Sequence, residues 1–404
     1  MIFNESIYNK SWNVKKLNEL GTFTRGKSKH RPRNDFRLFE NGNYPFIQTG
    51  DIKNAILYVT SHTKNYNDFG LKQSKLWKAG TLCITIAANI ADTAILSYPM
   101  CFPDSIVGFV ADIKESSEIF MHYIFIYIQK YIQNSVTGSI QDNINIDYLQ
   151  NLEFRIPLKE HQDKIALILS SIDKKIELNN KINSELENMA KTIYDYWFLQ
   201  FEFPNKEGKP YKSSGGKMIW NEELKKEIPN GWEVTQIDSV LSAVPSTRKK
   251  LKKEYLSRGK HPVIDQSSVY ISGFTDDEKA VLFLKDAVVF GDHTKIIKYI
   301  NFDFCRGADG TQILLSNREN LPNILLYHQV KNLNLVSQGY SRYFKFLKEK
   351  QIVLPNFEIA KQFKITSEKL YQKIRSNIFE NQELTSLRDY LLPLLMNGQV
   401  GFKD

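Results

Sequence analysis

IALILSSIDKKIELNNKINSELENMAKTIYDYW, residues 165–197, decides the architecture. Ile165, Leu169, Ile172, Ile176, Asn179, Asn183, Leu186, Ala190, Ile193 and Trp197 recur at alternating steps of four and three. That spacing lays one narrow stripe of a helix against a second helix, as in a coiled coil. The same chain supplies the second helix. Adding 198 to each number gives Phe363, Ser367, Leu370, Ile374, Asn377, Asn381, Leu384, Arg388, Leu391 and Leu395. Both stripes are apolar towards their ends and carry two asparagines in the middle. Antiparallel pairing sets Asn179 opposite Asn381 and Asn183 opposite Asn377. Asparagine pairs in such a seam fix register at some cost in stability. Two helices of roughly 38 residues, each about 57 Å long at 1.5 Å per residue, make a rod.

The copy extends beyond the helices. KSWNV (residues 10–14) matches NGWEV (230–234), NYPFI (43–47) matches KHPVI (260–264), and WKAGTLCI (77–84) matches FLKDAVVF (283–290). FRIP, ending at Pro157, matches IVLP, ending at Pro355. The offset falls from 220 to 198 along these anchors and then holds, so the first copy has the longer loops. The plan is a mixed α/β, or α+β, fold with a pseudo-two-fold repeat. Globular segments at 1–157 and 231–355 are separated by helices at 158–200 and 356–404, with a connector at 201–230. The connector's FPNKEGKPYKSSGGKM (203–218) reads as exposed loop. IFMHYIFIYI (119–128) is too short to span a bilayer and holds a histidine, so it reads as a buried helix.

The chain has 404 residues, a net charge of +9 and three widely spaced cysteines, Cys83, Cys101 and Cys305. No disulfide framework or zinc spacing arises, no signal peptide opens the sequence, and a reducing cytoplasm is the expected compartment. The helices do not carry the excess charge. Residues 158–200 hold six Lys against seven Asp/Glu, and residues 356–396 hold six Lys/Arg against five. The charge concentrates instead in RGKSKHRPR (25–33) and RKKLKK (248–253), at like distances after Trp12 and Trp232. Two basic runs at one repeat position point to double-stranded DNA, with Arg25, Lys27, Lys29, Arg31, Arg33, Arg248, Lys249 and Lys250 gripping phosphates. Base edges need forked polar side chains. Candidates are Gln48 and Thr49, with Gln266 and Ser267 as their counterparts. Ser139, Gln141 and Asn143 precede the first long helix, and Tyr340, Ser341 and Arg342 precede the second. GDHT (291–294) adds His293 and Thr294 as weaker candidates.

The doubled plan resembles the specificity subunit of type I restriction-modification systems. The residues that carry the likeness are KPYKSSGGKMIWNEELKKEIPNGWEV (209–234), QGYSRYFKFLKEKQIVLP (338–355) and the ending LRDYLLPLLMNGQV (387–400). The likeness covers the whole chain. It implies two target recognition domains, each reading half of a bipartite, asymmetric DNA site. It implies a helix pair that measures the unread spacer and docks two methyltransferase subunits, with restriction subunits in the full complex. It also implies no catalytic residue and no cofactor in this chain. S-adenosylmethionine would belong to the methyltransferase subunits, and ATP and magnesium to the restriction subunits. The first copy has TGSIQDNI where the second has QGYSRYFK, so a role for Arg342 does not transfer to it.

Two enzyme-like patterns compete with this reading. GTFTRGKS (21–28) fits the phosphate-loop pattern G-x-x-x-x-G-K-[ST]. That loop needs a helix behind it, yet KHRPRND follows, and the repeat equivalent LSAVPSTR (241–248) lacks the glycines. Lys27 is therefore expected to meet DNA phosphate, not ATP. Pro103-Asp104 with Asp112-Ile113-Lys114 mimics a nuclease layout, but the copy lacks it and Asp112 is expected to end a strand. No two prolines adjoin, as a methyltransferase Asn-Pro-Pro-Tyr loop requires, and the seven histidines show no metal spacing. The rival reading is a coiled-coil adaptor with incidental basic patches, which predicts no salt-sensitive DNA affinity.

Overall fold

A computed structural model describes residues 8–137, 144–335 and 342–401. Two long helices, Lys159–Tyr194 and Phe357–Met396, dominate the element order. The first closes with a π turn at Asp195–Leu199. The chain divides into two compact units, Met1–Asn179 with Glu380–Asp404, and Asn180–Phe379. Each division falls inside a helix, beside an asparagine of the seam.

In the first unit, residues Leu17, Phe109, Phe125 and Phe154 of the globular part share one buried cluster with Ile165, Leu169, Leu392 and Leu395 of the helices. The stripe therefore ends inside a domain core and not on a free rod. Each such side chain, fully buried, contributes about 1.5–3 kcal/mol. The apolar run at 119–128 lies in the helix Glu118–Thr137, and Tyr123, Ile124, Phe125 and Ile128 are buried. A five-stranded sheet contains Gly21–Arg25, Ile106–Ala111, Leu82–Thr85, Thr93–Leu96 and Tyr58–Val59 in that spatial order. A four-stranded sheet runs Lys64–Tyr66, Tyr44–Phe46, Met100–Cys101, Leu76–Trp77. Asn13–Lys16 closes the domain by pairing antiparallel with Glu153–Ile156.

The second unit repeats this wiring. Its four-stranded sheet runs Gly273–Thr275, His261–Ile264, Phe304–Arg306, Val281–Leu282, with the same antiparallel, parallel, antiparallel sequence of pairings. Ile297–Ile300, Ala287–Gly291 and Thr311–Leu314 form an antiparallel sheet matching the centre of the five-stranded one. Glu233–Gln236 pairs with Gln351–Leu354 as the first unit's outer strands do. Register dates the match to the residue. Phe46 pairs with Cys101 and Val263 with Cys305, so Gln48 corresponds to Asp265 and Thr49 to Gln266. The sequence alignment that set Gln48 beside Gln266 was one residue out. Within the connector stretch 203–218 residues 206–209 and 212–215 are exposed, and only Phe203 is buried. Phe203 stacks on Trp232 with centroids 5.0 Å apart, in one buried cluster with Ile228 of the hairpin Met218–Asn221/Lys226–Pro229.

Candidate nucleic-acid interface

The helix seam is polar at its middle within each unit. In the first, the Asn179 amide donates to Asn381 Oδ1 at 2.9 Å and to Glu380 Oε2 at 2.8 Å. In the second, Asn377 donates to Asn183 Oδ1 at 2.8 Å. Asn179 and Asn377 are almost wholly buried. The residue numbers run in opposite senses along the two helices, as antiparallel pairing requires. Arg388 occupies a stripe position yet is satisfied: its Nη1 donates to Asp173 Oδ1 at 2.9 Å.

The two basic runs occupy one structural place. Lys27 N donates to Phe102 O at 3.2 Å, and Lys250 N donates to Arg306 O at 2.9 Å. Phe102 and Arg306 are equivalent by strand register, so Lys27 and Lys250 are too. Their side chains differ. Arg25, Lys27 and Lys29 are exposed and enter no ion pair among the described residues. Arg33 Nη2 donates to both oxygens of Asp104, at 2.7 and 3.0 Å, and Arg31 lies 3.7 Å from the same carboxylate. In the second domain Lys250 is buried, 3.2 Å from Asp277 and 3.6 Å from Glu254. Lys250 is thus spent inside the domain, a correction to its reading as a phosphate contact. The Lys250 hydrogen bond is the main cause that holds the Asp277 carboxyl below its usual range. Arg248 pairs with Glu254 and Asp277, and Lys249 lies 3.4 Å from Asp309.

The second-domain polar candidates converge. Gln266 Nε2 donates to Asp309 O at 3.0 Å, and its Oε1 accepts from His293 N at 3.1 Å. The Thr294 hydroxyl donates to Gln266 O at 2.7 Å. A Cβ on Gly310 (φ +86°) would stand 2.5 Å from Gln266 Nε2, so the turn is shaped around this carboxamide. Both ends of Gln266 are therefore engaged, which makes it a brace for the loops and not a free fork for adenine, while His293 and Thr294 stay exposed. Asp292 O accepts from Tyr343 N and its Oδ1 from Phe344 N, which anchors the helix Tyr343–Lys348 behind exposed Arg342. Ser267 sits apart, its N donating to Asp265 Oδ1 and its hydroxyl facing Ser272. Burial works against the Asp265 charge, but hydrogen bonds from Ser267 and Ser272 hold its carboxyl below the ordinary range. Burial also pulls the Lys298 ammonium beside it down to about 8.

In the first domain Gln48 is exposed, and its backbone N donates to Asp51 Oδ2 at 2.7 Å to cap the helix Thr49–Asn54. Lys53 on that helix reaches Asn89 at 3.3 Å. Ile144 N donates to Ile86 O at 3.0 Å, the counterpart of Tyr343 N on Asp292 O. Ser139, Gln141, Asn143, Tyr340 and Ser341 lie outside the described residues.

The phosphate-loop pattern dissolves in geometry. Residues 21–25 are a strand, Gly26 N donates to Ile106 O at 2.8 Å, and the Lys27 amide is already engaged. The Gly26, Lys27 and Lys29 amides are thus given to backbone carbonyls and not aimed at a common point, and only a short 3₁₀ turn, Phe36–Leu38, follows. Asp112 follows the strand Ile106–Ala111 and accepts from Lys114 N. Among the described residues no group of three His, Cys, Asp or Glu could hold a metal, and no helix is long and apolar enough to cross a membrane. Sequence reasoning missed that Cys101 and Cys305 are equivalent buried positions, although the first stands five residues before the strand starting at Ile106 and the second six before the strand starting at Thr311.

A family profile described as the type I restriction modification DNA specificity domain matches residues 9–188 and again 229–387. The chain is similar to the MjaIX type I restriction enzyme specificity subunit of Methanocaldococcus jannaschii, 25% identical over 423 residues, covering 98% of this chain and 95% of that protein. It is also similar to the HindI type I restriction enzyme specificity subunit of Haemophilus influenzae, 23% identical, covering 91% and 97%. Its fold resembles the crystal structure of a type I restriction-modification S subunit from M. genitalium, with a TM-score of 0.57, 16% identity and full coverage of both chains.

Proposed function

Because the chain belongs to the type I restriction-modification DNA specificity family, we propose that its two globular segments, 1–157 and 231–355, each read one half of a bipartite, asymmetric DNA site. The chain is a type I specificity subunit, a recognition component without catalysis of its own. It works with methyltransferase and restriction subunits. The helix segments 158–200 and 356–404 set the spacer and dock two methyltransferase subunits, and 201–230 connects the halves. S-adenosylmethionine is bound by the methyltransferase subunits, and ATP and magnesium by the restriction subunits.

One observation carries the reading. The same four-stranded sheet order recurs in both domains, and in both a basic run is hydrogen-bonded to the residue that ends or follows the parallel-paired strand. Like scaffolds with unlike loops suit an asymmetric site. Arg25, Lys27 and Lys29 supply sequence-independent grip. In the second domain His293, Thr294 and Arg342 present polar groups on loops braced by Gln266 and Asp292. Single-molecule sequencing of genomic DNA methylated by the assembled complex tests the proposal. A two-part motif with a fixed gap is expected, and exchange of residues 231–355 for those of a relative changes one half only. A continuous motif, or changes in both halves, overturns it.

A further inference from the structure

We propose that Asp104 and Asp309 are built-in counter-charges that compete with DNA phosphate for the two basic runs and so weaken non-specific binding. The inference rests on the reading of those runs as phosphate contacts.

The two aspartates occupy one position. Ile106 N donates to Pro103 O at 3.1 Å, and Thr311 N donates to Ala308 O at 3.3 Å. Each bond closes a four-residue turn that leads into the matching strands Ile106–Ala111 and Thr311–Leu314, and each turn has aspartate as its second residue. Sequence around the turns is otherwise unlike, PDSI against ADGT. In the first domain Asp104 takes Arg33 through both oxygens and lies 3.7 Å from Arg31. In the second, Asp309 lies 3.4 Å from Lys249. In both cases the basic partner comes from the run at the equivalent place.

An exposed carboxylate on a DNA-facing surface repels phosphate unless it does something specific. Reading a cytosine amino group is one use. The Asp104 geometry argues otherwise, since both its oxygens are turned onto Arg33. The pairs are partly exposed, with Arg33 at 50% and Asp104 at 37%, so each is weak enough for a phosphate to displace. Displacement costs the same on any sequence. The pairs therefore lower affinity for every sequence alike and leave the ratio unchanged, and a complex that gains no base contacts is the one left too weak to persist. Asp104 and Asp309 act through Arg33 and Lys249, which makes them positioning residues.

The test uses the full chain and a labelled duplex of random sequence, titrated between 50 and 200 mM salt. Asp309→Asn frees Lys249, and Asp104→Asn frees Arg33 together with the more distant Arg31, so the loss of affinity over that range steepens by about threefold for the first variant and by at least that for the second, as one added phosphate contact per freed cation requires. Affinity at low salt rises in step. Asp112→Asn is the control. It removes the same charge from a carboxylate whose hydrogen bond is to Lys114 N and not to the basic run, and its salt dependence is expected to stay near that of the parent. Asp309 is 88% exposed, so its variant reports even if Asp104→Asn perturbs folding. Slopes for both variants equal to the Asp112→Asn slope, or affinities below the parent, overturn the inference. A parent chain with no salt-dependent affinity sinks the phosphate reading itself, and this inference with it.

Discussion

Arg388 Nη1 donates to Asp173 Oδ1 at 2.9 Å, and the Tyr123 hydroxyl donates to Asp173 Oδ2 at 2.6 Å. Asp173 has no exposed surface at all. Three elements of the first unit, its two long-helix segments and the helix Glu118–Thr137, thereby meet on one carboxylate. Burial opposes the Arg388 charge, but Asp173 and Asp389 hold its pKa above the ordinary guanidinium value. Arg388→Met removes the pair's positive partner and leaves the buried carboxylate uncompensated. The expected loss is about 3–5 kcal/mol in chemical denaturation. Asp173→Asn together with Arg388→Met recovers part of it, since the charge itself is gone. A loss below about 1 kcal/mol for the single variant would show that water reaches Asp173.

Two buried histidines make stability depend on pH. His122 (1% exposed) faces Thr93, and His328 (3% exposed) packs among Tyr194, Tyr327, Phe363 and Tyr371. Burial, aided by nearby Arg388 for the first and by Lys331 and Lys191 for the second, lowers each to about 3. The unfolded value is about 6.5. Between these values the unfolded chain binds the extra proton, so stability is fully present above about pH 6.5 and falls as pH drops. From pH 6.5 to 5 the loss is about 2 kcal/mol per histidine. Melting curves at stepped pH check this, and His122→Gln is expected to flatten its share of the slope. An unchanged midpoint across that window contradicts the account.

Much of this architecture was legible in the sequence because helix pairing is periodic. The steps of four and three placed Asn179 by Asn381 and Asn183 by Asn377, and those hydrogen bonds are present. Side-chain fate was less legible because it depends on distant residues. Lys250 is buried by Asp277, 27 positions away, and nothing in RKKLKK signals it. Arg388 sat in the apolar stripe unexplained because its carboxylate, Asp173, lies one place beyond the stripe residue Ile172. Gln48 was aligned with Gln266 by residue type, whereas strand register equates it with Asp265. The fork expected of Gln266 is consumed by His293 N and Asp309 O, contacts made across loops whose approach no local pattern encodes.

The asparagine pairs allow a test of the spacer. One heptad inserted after Asn180 and another after Phe379 keeps Asn179 opposite Asn381 and Asn183 opposite Asn377, because seven residues preserve the stripe. Each helix lengthens by about 10 Å, close to three base pairs at 3.4 Å each. Sequencing of DNA methylated by the altered complex is expected to show both half-motifs intact and the gap longer by about three. An unaltered gap removes the ruler role.

The unpaired cations of the first domain and the paired lysine of the second separate binding from folding. Arg25, Lys27 and Lys29 are exposed and lack ion pairs among the described residues, so their joint change to glutamine leaves the melting temperature within error. Each phosphate contact carries a salt slope of about 0.9. Loss of three lowers the slope by nearly three and weakens random-duplex binding at 50 mM salt by orders of magnitude. Lys250→Met does the reverse. Its ammonium is buried and braces Asp277 and Glu254, whose carboxylates stay partly exposed, so the variant lowers the melting temperature as the two carboxylates lose their shared cation. Its salt slope stays that of the parent. If Lys250→Met instead flattens the slope and leaves stability intact, the lysine swings out to DNA and the assignment of the second cluster reverses.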